Sequence, residues 1–143
     1  MPLTLVESCT KPDGTVVPNA AHDPVPVVSE STADQVVAMM ESVATGGDLA
    51  SMLAIPGYRV AAKSGTAQLA INGRYSSERV VSVAGMAPAE NPEYVVIASF
   101  VKPDTIKTSA AAAPTFQQIM TQVLKTFRVE PSTQPAPNLP TTW

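Results

Sequence analysis

The dipeptide Asn72-Gly73 lies between two runs of β-type residues, and it constrains the fold more than any other feature of the chain. Asn-Gly readily takes the left-handed backbone that a two-residue hairpin turn demands, so the runs on either side are expected to pair antiparallel. The upstream run extends from Tyr58 to Ile71. Downstream, Arg79 to Ala87 (RVVSVAGMA) reads as one strand and Glu93 to Val101 (EYVVIASFV) as another, joined across the turn Pro88-Ala89-Glu90-Asn91-Pro92. A short polar link between two apolar strands favours a second antiparallel pair.

Two helices bracket these strands. Ser31 with Asp34 resembles a capping box. Ala33, Val36, Val37, Met40, Val43 and Ala44 then recur at helical spacing, and Gly46-Gly47 ends the run. The last helix begins near Ala110 to Ala113, with Pro114 tolerable only in its first turn. Phe116, Ile119, Met120, Val123, Leu124 and Phe127 form a continuous apolar stripe along it. The predicted class is α+β, an antiparallel sheet flanked by helices. The fourteen prolines among 143 residues argue for frequent chain breaks rather than long helices.

The first thirty residues read as extended chain and turns. Lys11-Pro12-Asp13-Gly14 is a strong turn signal with a short strand, Thr15-Val16-Val17, after it. His22-Asp23-Pro24-Val25-Pro26 cannot be helical. Ile55-Pro56-Gly57 marks another turn. From Val129 the chain is polar and carries four prolines, and it reads as a disordered or extended tail. Residues 1–128 are thus expected to belong to one domain and 129–143 to the tail.

Composition removes several functions. The chain is 45% hydrophobic, enough for a core, and its net charge of −3 gives no basic face for nucleic acid. One cysteine, Cys9, permits no internal disulfide. One histidine, His22, permits no multi-histidine metal site, so neither metal nor cofactor is expected. Met1-Pro2-Leu3-Thr4 is not a signal peptide, and no stretch reaches the ~20 apolar residues of a membrane span. The segment itself therefore reads as soluble.

Lys63-Ser64-Gly65-Thr66 is the sharpest local motif. In a strand, Ser64 and Thr66 share one face while Lys63 and Gly65 share the other. Gly65 leaves the backbone bare, so a substrate or a neighbouring side chain can approach it. A lysine beside two hydroxyls suits a carboxylate. Taken alone, the same four residues also fit a solvated edge strand. Gly57 to Ser64 nearly spells a phosphate-binding loop, but Ala62 replaces its second glycine, and Tyr58, Arg59 and Val60 prefer a strand. Ser8-Cys9-Thr10-Lys11 matches S-x-x-K, yet Pro12 opposes the helix that would bring Lys11 to Ser8, so the match reads as chance. His22 has no partner carboxylate at helical spacing, and Cys9 has no neighbouring base.

Several features in order change this picture: IPGYRVAAKSGTAQ, then VVSVAGMAPAENPEYVVIASFVKP, then AAAAPTFQQIM. Together, from about Leu3 to Phe127, they resemble the C-terminal part of the transpeptidase domain of class B penicillin-binding proteins, with a leaning toward actinobacterial division enzymes. Ala62 stands where many relatives have glycine. The resemblance implies a serine D,D-transpeptidase that cross-links peptidoglycan stem peptides and is acylated by β-lactams. It gives Lys63 the task of supplying positive charge near the substrate carboxylate and orienting a serine of the middle motif. Ser64 and Thr66 would bind that carboxylate, Gly65 would let it approach, and the Thr66 N–H would be one of two oxyanion donors. It also implies a parent protein anchored at the extracytoplasmic face of the membrane, working with the remainder of its domain and with division-complex proteins.

Two motifs of that family, a helical S-x-x-K and an S-x-N, are not found before Lys63, which has only 62 residues ahead of it. In the family both precede the lysine motif. The chain is accordingly expected to be a piece of a longer protein and inactive by itself. A non-catalytic scaffold or remnant, and a piece of a β-lactam hydrolase, are the alternative readings. Lys-Ser-Gly cannot separate hydrolysis from transfer, because both pass through an acyl-enzyme.

Overall fold

The computed structural model describes residues 6–19, 25–137 and 139, so His22 lies outside the described residues. The chain divides after Ala33 into two compact units. In the first, β1 (Ser8–Thr10) and β2 (Val16–Pro18) pair antiparallel, with Cys9 opposite Val17. The expected turn joins them. Gly14 N–H donates to the Lys11 carbonyl, and Thr15 N–H donates to Asp13 Oδ1 at 2.9 Å. That local hydrogen bond holds the Asp13 carboxyl below its ordinary pKa. Every residue of both strands is exposed.

Helix α1 (Glu30–Gly46) is capped two residues earlier than the capping-box reading placed it. Its cap is Ser29, whose Oγ accepts the Thr32 N–H at 3.2 Å and meets Thr32 Oγ1 at 2.8 Å. The apolar stripe predicted for α1 is only partly buried. Val36 is exposed, Val37 and Met40 are half-buried, and the fully buried positions are Ala44 and the charged Glu41. Residues Ala50–Leu53 form the short α2.

The second unit is built on three strands: β3 (Ala61–Ile71), β4 (Arg74–Ala87) and β5 (Tyr94–Val101), in spatial order β3-β4-β5 and antiparallel throughout. Asn72 (φ 51°) and Gly73 (φ 77°) make the hairpin turn, both left-handed as the dipeptide demands. The hairpin is longer than expected. Residues 74–78, read from sequence as a link, continue β4, with Ile71 opposite Arg74 and a register shift between Gln68 and Ala70. β4 is the central strand, so among the described residues β3 has a strand neighbour on one side only.

One face of the sheet carries the core. Helix α3 (Ala113–Thr126) follows a 3-10 turn at Ser109–Ala111 and takes Pro114 in its first turn. It lays Phe116, Met120 and Leu124, all fully buried, on Val83, Gly85 and Ala87 of β4 and Ala62 of β3. Gly85 is required there, since a Cβ would stand 2.6 Å from Phe116 Cζ and 2.8 Å from the Ala61 carbonyl oxygen. Phe127 is exposed but stacks on Tyr94 with centroids 5.1 Å apart, tying the end of α3 to the start of β5. The opposite face is open: Val95, Ile97 and Val101 of β5 are 67%, 68% and 63% exposed.

The start of the tail is not free chain. Val129 is buried, its carbonyl accepts Tyr58 Oη–H at 2.6 Å, and Ser132 exchanges hydrogen bonds with Gly57 and Arg59. The tail was expected to be disordered or extended from Val129; its first residues, 129–132, find hydrogen-bond partners in the turn that precedes β3.

Candidate functional site

Lys63, Ser64, Gly65 and Thr66 lie in the first half of β3, on a strand as expected. The register settles which way each faces. Ser64 lies opposite Val83 and Thr66 opposite Val81, so both hydroxyls sit on the α3 side of the sheet. Lys63 opposite Ala84 and Gly65 opposite Ser82 lie on the open side. Lys63 and Thr66 are exposed, while Ser64 and Gly65 are half-buried.

The backbone alternates too. On the edge strand of an antiparallel pair, every second residue turns its N–H and C=O away from the partner. Arg79 of β4 gives its carbonyl to Lys102 N–H on the β5 side, so Ser82 and Ala84 direct theirs toward Gly65 and Lys63 of β3. The outward set on β3 is therefore Ser64 and Thr66. Lys63 Nζ confirms it by donating to the outward Ser64 carbonyl at 2.7 Å. Thr66 thus presents an N–H and a hydroxyl at one edge, beside the Ser64 hydroxyl. This edge can donate hydrogen bonds to an anionic oxygen from backbone and side chain together, with an ammonium group close by.

Gly65 has a cross-strand neighbour on its own face. A Cβ there would stand 2.9 Å from Ser82 Oγ, so its missing side chain makes room for a cross-strand neighbour.

Ser8, Cys9 and Thr10 form β1 and Lys11 begins the turn after it, so Ser8 and Lys11 do not lie on a helix. The near phosphate loop at 57–64 is also absent as such. Gly57 (φ 83°) closes the Ile55–Tyr58 turn, and the chain runs straight into β3. Among the described residues, no three His, Cys, Asp or Glu side chains gather as a metal site.

Sequence reasoning missed a second cluster, four residues before Lys63. Glu41 of α1 is 1% exposed and receives a forked pair of bonds from Arg59, Nε at 2.8 Å and Nη2 at 2.6 Å. The bond to Glu41 raises the Arg59 pKa further above its ordinary value. Glu90 lies 3.8 Å from Arg59 Nε. A cavity of about 460 Å³ opens beside Tyr58 and Arg59, lined also by Ala44, Ile55 and Ala136. None of Lys63, Ser64 and Thr66 lines it, and the edge of β3 rather than this cavity carries the hydrogen-bonding array. The one sequence sign of the pair was a glutamate sharing a helix face with Val37 and Ala44.

Comparison with known proteins agrees with the fold. Residues 1–121 match the family described as penicillin binding protein transpeptidase domain. The chain is 41% identical over 114 residues to the peptidoglycan D,D-transpeptidase FtsI of Escherichia coli K12, covering 76% of this chain and 19% of that protein. It is 30% identical to the penicillin-binding protein PbpB of Mycolicibacterium smegmatis, covering 97% of this chain and 23% of the other. The crystal structure of penicillin binding protein 3 from Mycobacterium tuberculosis complexed with ampicillin superposes with a TM-score of 0.75 and 29% identity, over 92% of this chain and 32% of that one. A peptidoglycan synthetase from Bifidobacterium adolescentis gives a TM-score of 0.77 at 28% identity, over 96% and 25%. The chain spans about a fifth of the length of such relatives as FtsI. With an α+β antiparallel sheet, a Lys-Ser-Gly-Thr edge strand and a family match over most of its length, this chain belongs to the penicillin-binding protein transpeptidase family, as part of a transpeptidase domain.

Proposed function

We propose that this chain supplies the Lys63–Thr66 wall of the active site of a peptidoglycan D,D-transpeptidase, and that the serine nucleophile comes from residues of the complete domain outside this chain. The observation that carries the reading is the outward N–H of Thr66 at a free strand edge, with the Ser64 and Thr66 hydroxyls on one face and the Lys63 ammonium on the other. The terminal carboxylate of a peptidoglycan stem peptide, or the equivalent carboxylate of a β-lactam, accepts from Ser64 and Thr66. Lys63 offsets its charge and orients the proton-carrying serine of the middle motif. The Thr66 N–H donates to the carbonyl oxygen as it gains negative charge on the way to the acyl-enzyme, where a fixed donor counts most. Gly65, with no side chain, lets the substrate approach the strand.

The remainder of the domain covers the open sheet face at Val95, Ile97 and Val101, whose exposure is otherwise unexplained in a folded domain. The parent protein works at the extracytoplasmic face of the membrane with division-complex proteins. Among the described residues no helix is long and apolar enough to cross a membrane.

The test is acylation of the complete domain by a fluorescent penicillin. Lys63→Ala should reduce the acylation rate at least about 100-fold with the melting temperature little changed, since an exposed side chain is removed while charge compensation at the reacting centre is lost. An unchanged rate would mean that another lysine performs this task.

A further inference from the structure

We propose that Arg59 is a positioning residue: clamped by Glu41, it sets the path by which the chain enters β3 and so the placement of Lys63, Ser64 and Thr66. The inference rests on the transpeptidase reading of those three residues. Arg59 is joined on every side that matters to the strand. Its side chain forks onto both oxygens of Glu41 in α1. Its carbonyl accepts the Ala89 N–H from the β4–β5 turn at 2.9 Å, and its own N–H donates to Ser132 Oγ at 2.8 Å. Tyr58 beside it is tied to Val129. A helix, a turn and the C-terminal tail thus converge on one residue.

Between that junction and Lys63 there is no slack. Val60, Ala61 and Ala62 are all buried, so a shift at Arg59 has no loop in which to dissipate and passes along the strand. At a rise of ~3.3 Å per residue, Lys63 lies only about 13 Å further on. Arg59 is too far to touch a carboxylate held at Ser64 and Thr66, and it acts through the backbone alone.

The choice of residues supports orientation over plain adhesion. Glu41 is buried and Arg59 half-buried, and an ion pair withdrawn from water in this way is a poor source of stability, because desolvation offsets much of the attraction. Its forked geometry, however, fixes direction in a way that apolar packing does not. Glu41 is also the one buried charged side chain among the described residues, in a core otherwise apolar.

The experiment uses the complete transpeptidase domain and reads the rate and saturation of acylation by a fluorescent penicillin, normalised to the folded fraction by thermal melting. The double variant Glu41→Leu/Arg59→Met fills the site with apolar groups of similar size. It should melt near the parent yet acylate about tenfold more slowly, with the loss in the acylation step rather than in saturation, as expected for a misplaced reacting group. Arg59→Lys, which keeps the charge without the fork, should also lose rate in the acylation step. A folded double variant that acylates at the parent rate would overturn the proposal.

Should the core variants fail to fold, Ser132→Ala decides. It removes only the acceptor of the Arg59 N–H and should slow acylation about threefold, whereas an unchanged rate would equally overturn the proposal. Lys63→Ala serves as the control. If it abolishes acylation while the Arg59 variants behave normally, this inference alone fails. If the parent domain is not acylated, the transpeptidase reading fails and this inference with it.

Discussion

At the scale of single residues, the absence of a side chain decides as much as its presence. Gly85 admits the fully buried Phe116 to the sheet surface, and an added Cβ would also press on the Ala61 carbonyl oxygen. Gly85→Ala is expected to destabilise the complete domain by about 1–3 kcal/mol through overpacking, measured by urea unfolding. A neutral effect would mean that α3 can slide on β4. Asp13 offers a different test. Its carboxyl accepts the Thr15 N–H, which favours the charged form, so its folded pKa lies below the ordinary aspartate value. A depressed carboxyl pKa contributes stability above the unfolded value and loses it as pH falls through the folded one. An NMR titration of Asp13 should therefore give a midpoint lower than that of an unstructured aspartate, and Asp13→Asn should remove the acid sensitivity of the Lys11–Thr15 turn.

At the scale of elements, pattern and burial part company in instructive ways. α3 behaves as its stripe predicts, because the sheet it packs against is within the chain. Phe116, Met120 and Leu124 are spaced four apart on one face and all three are fully buried. Phe116→Ala is expected to cost about 3–5 kcal/mol in the complete domain, visible as a fall in melting temperature. α1 follows its stripe less closely, since the face it buries holds Glu41 and only the small Ala44. The turn at Asn72-Gly73 was legible down to its backbone signs, whereas the length of the hairpin was not. Arg74, Tyr75, Ser76, Ser77 and Glu78 have no apolar alternation, and the pairing of Arg74 with Ile71 and of Tyr75 with Ala70 carries the strand through them.

At the scale of the whole molecule, the proposed function makes the Lys63–Thr66 edge one wall of a site completed elsewhere. Ser8, the serine that matches S-x-x-K, lies in an exposed strand, and Lys11 is bound into a turn by Thr15 and Gly14. Acylation needs a hydroxyl beside its base and next to an oxyanion pocket. Incubated alone with penicillin, this chain should gain no mass on intact-protein analysis after denaturation. A stoichiometric adduct on Ser8 would overturn the assignment of the nucleophile to the remainder of the domain.

The antiparallel strands, the stripe of α3 and the Lys-Ser-Gly-Thr motif on β3 were determined by the sequence alone, because each depends on period, turn chemistry or residue type within a few neighbours. The alternation of Ser64 and Thr66 against Lys63 and Gly65 belongs with them, since a strand has period two. The tertiary structure decided what lies beyond that range. It made β3 an edge strand, so that the Thr66 N–H turns outward; it brought Glu41 and Arg59 together across 18 positions; and it docked Val129 and Ser132 against the turn before β3. These are contacts between distant segments. No local propensity encodes them, because they form only when the apolar faces of separate elements are buried together.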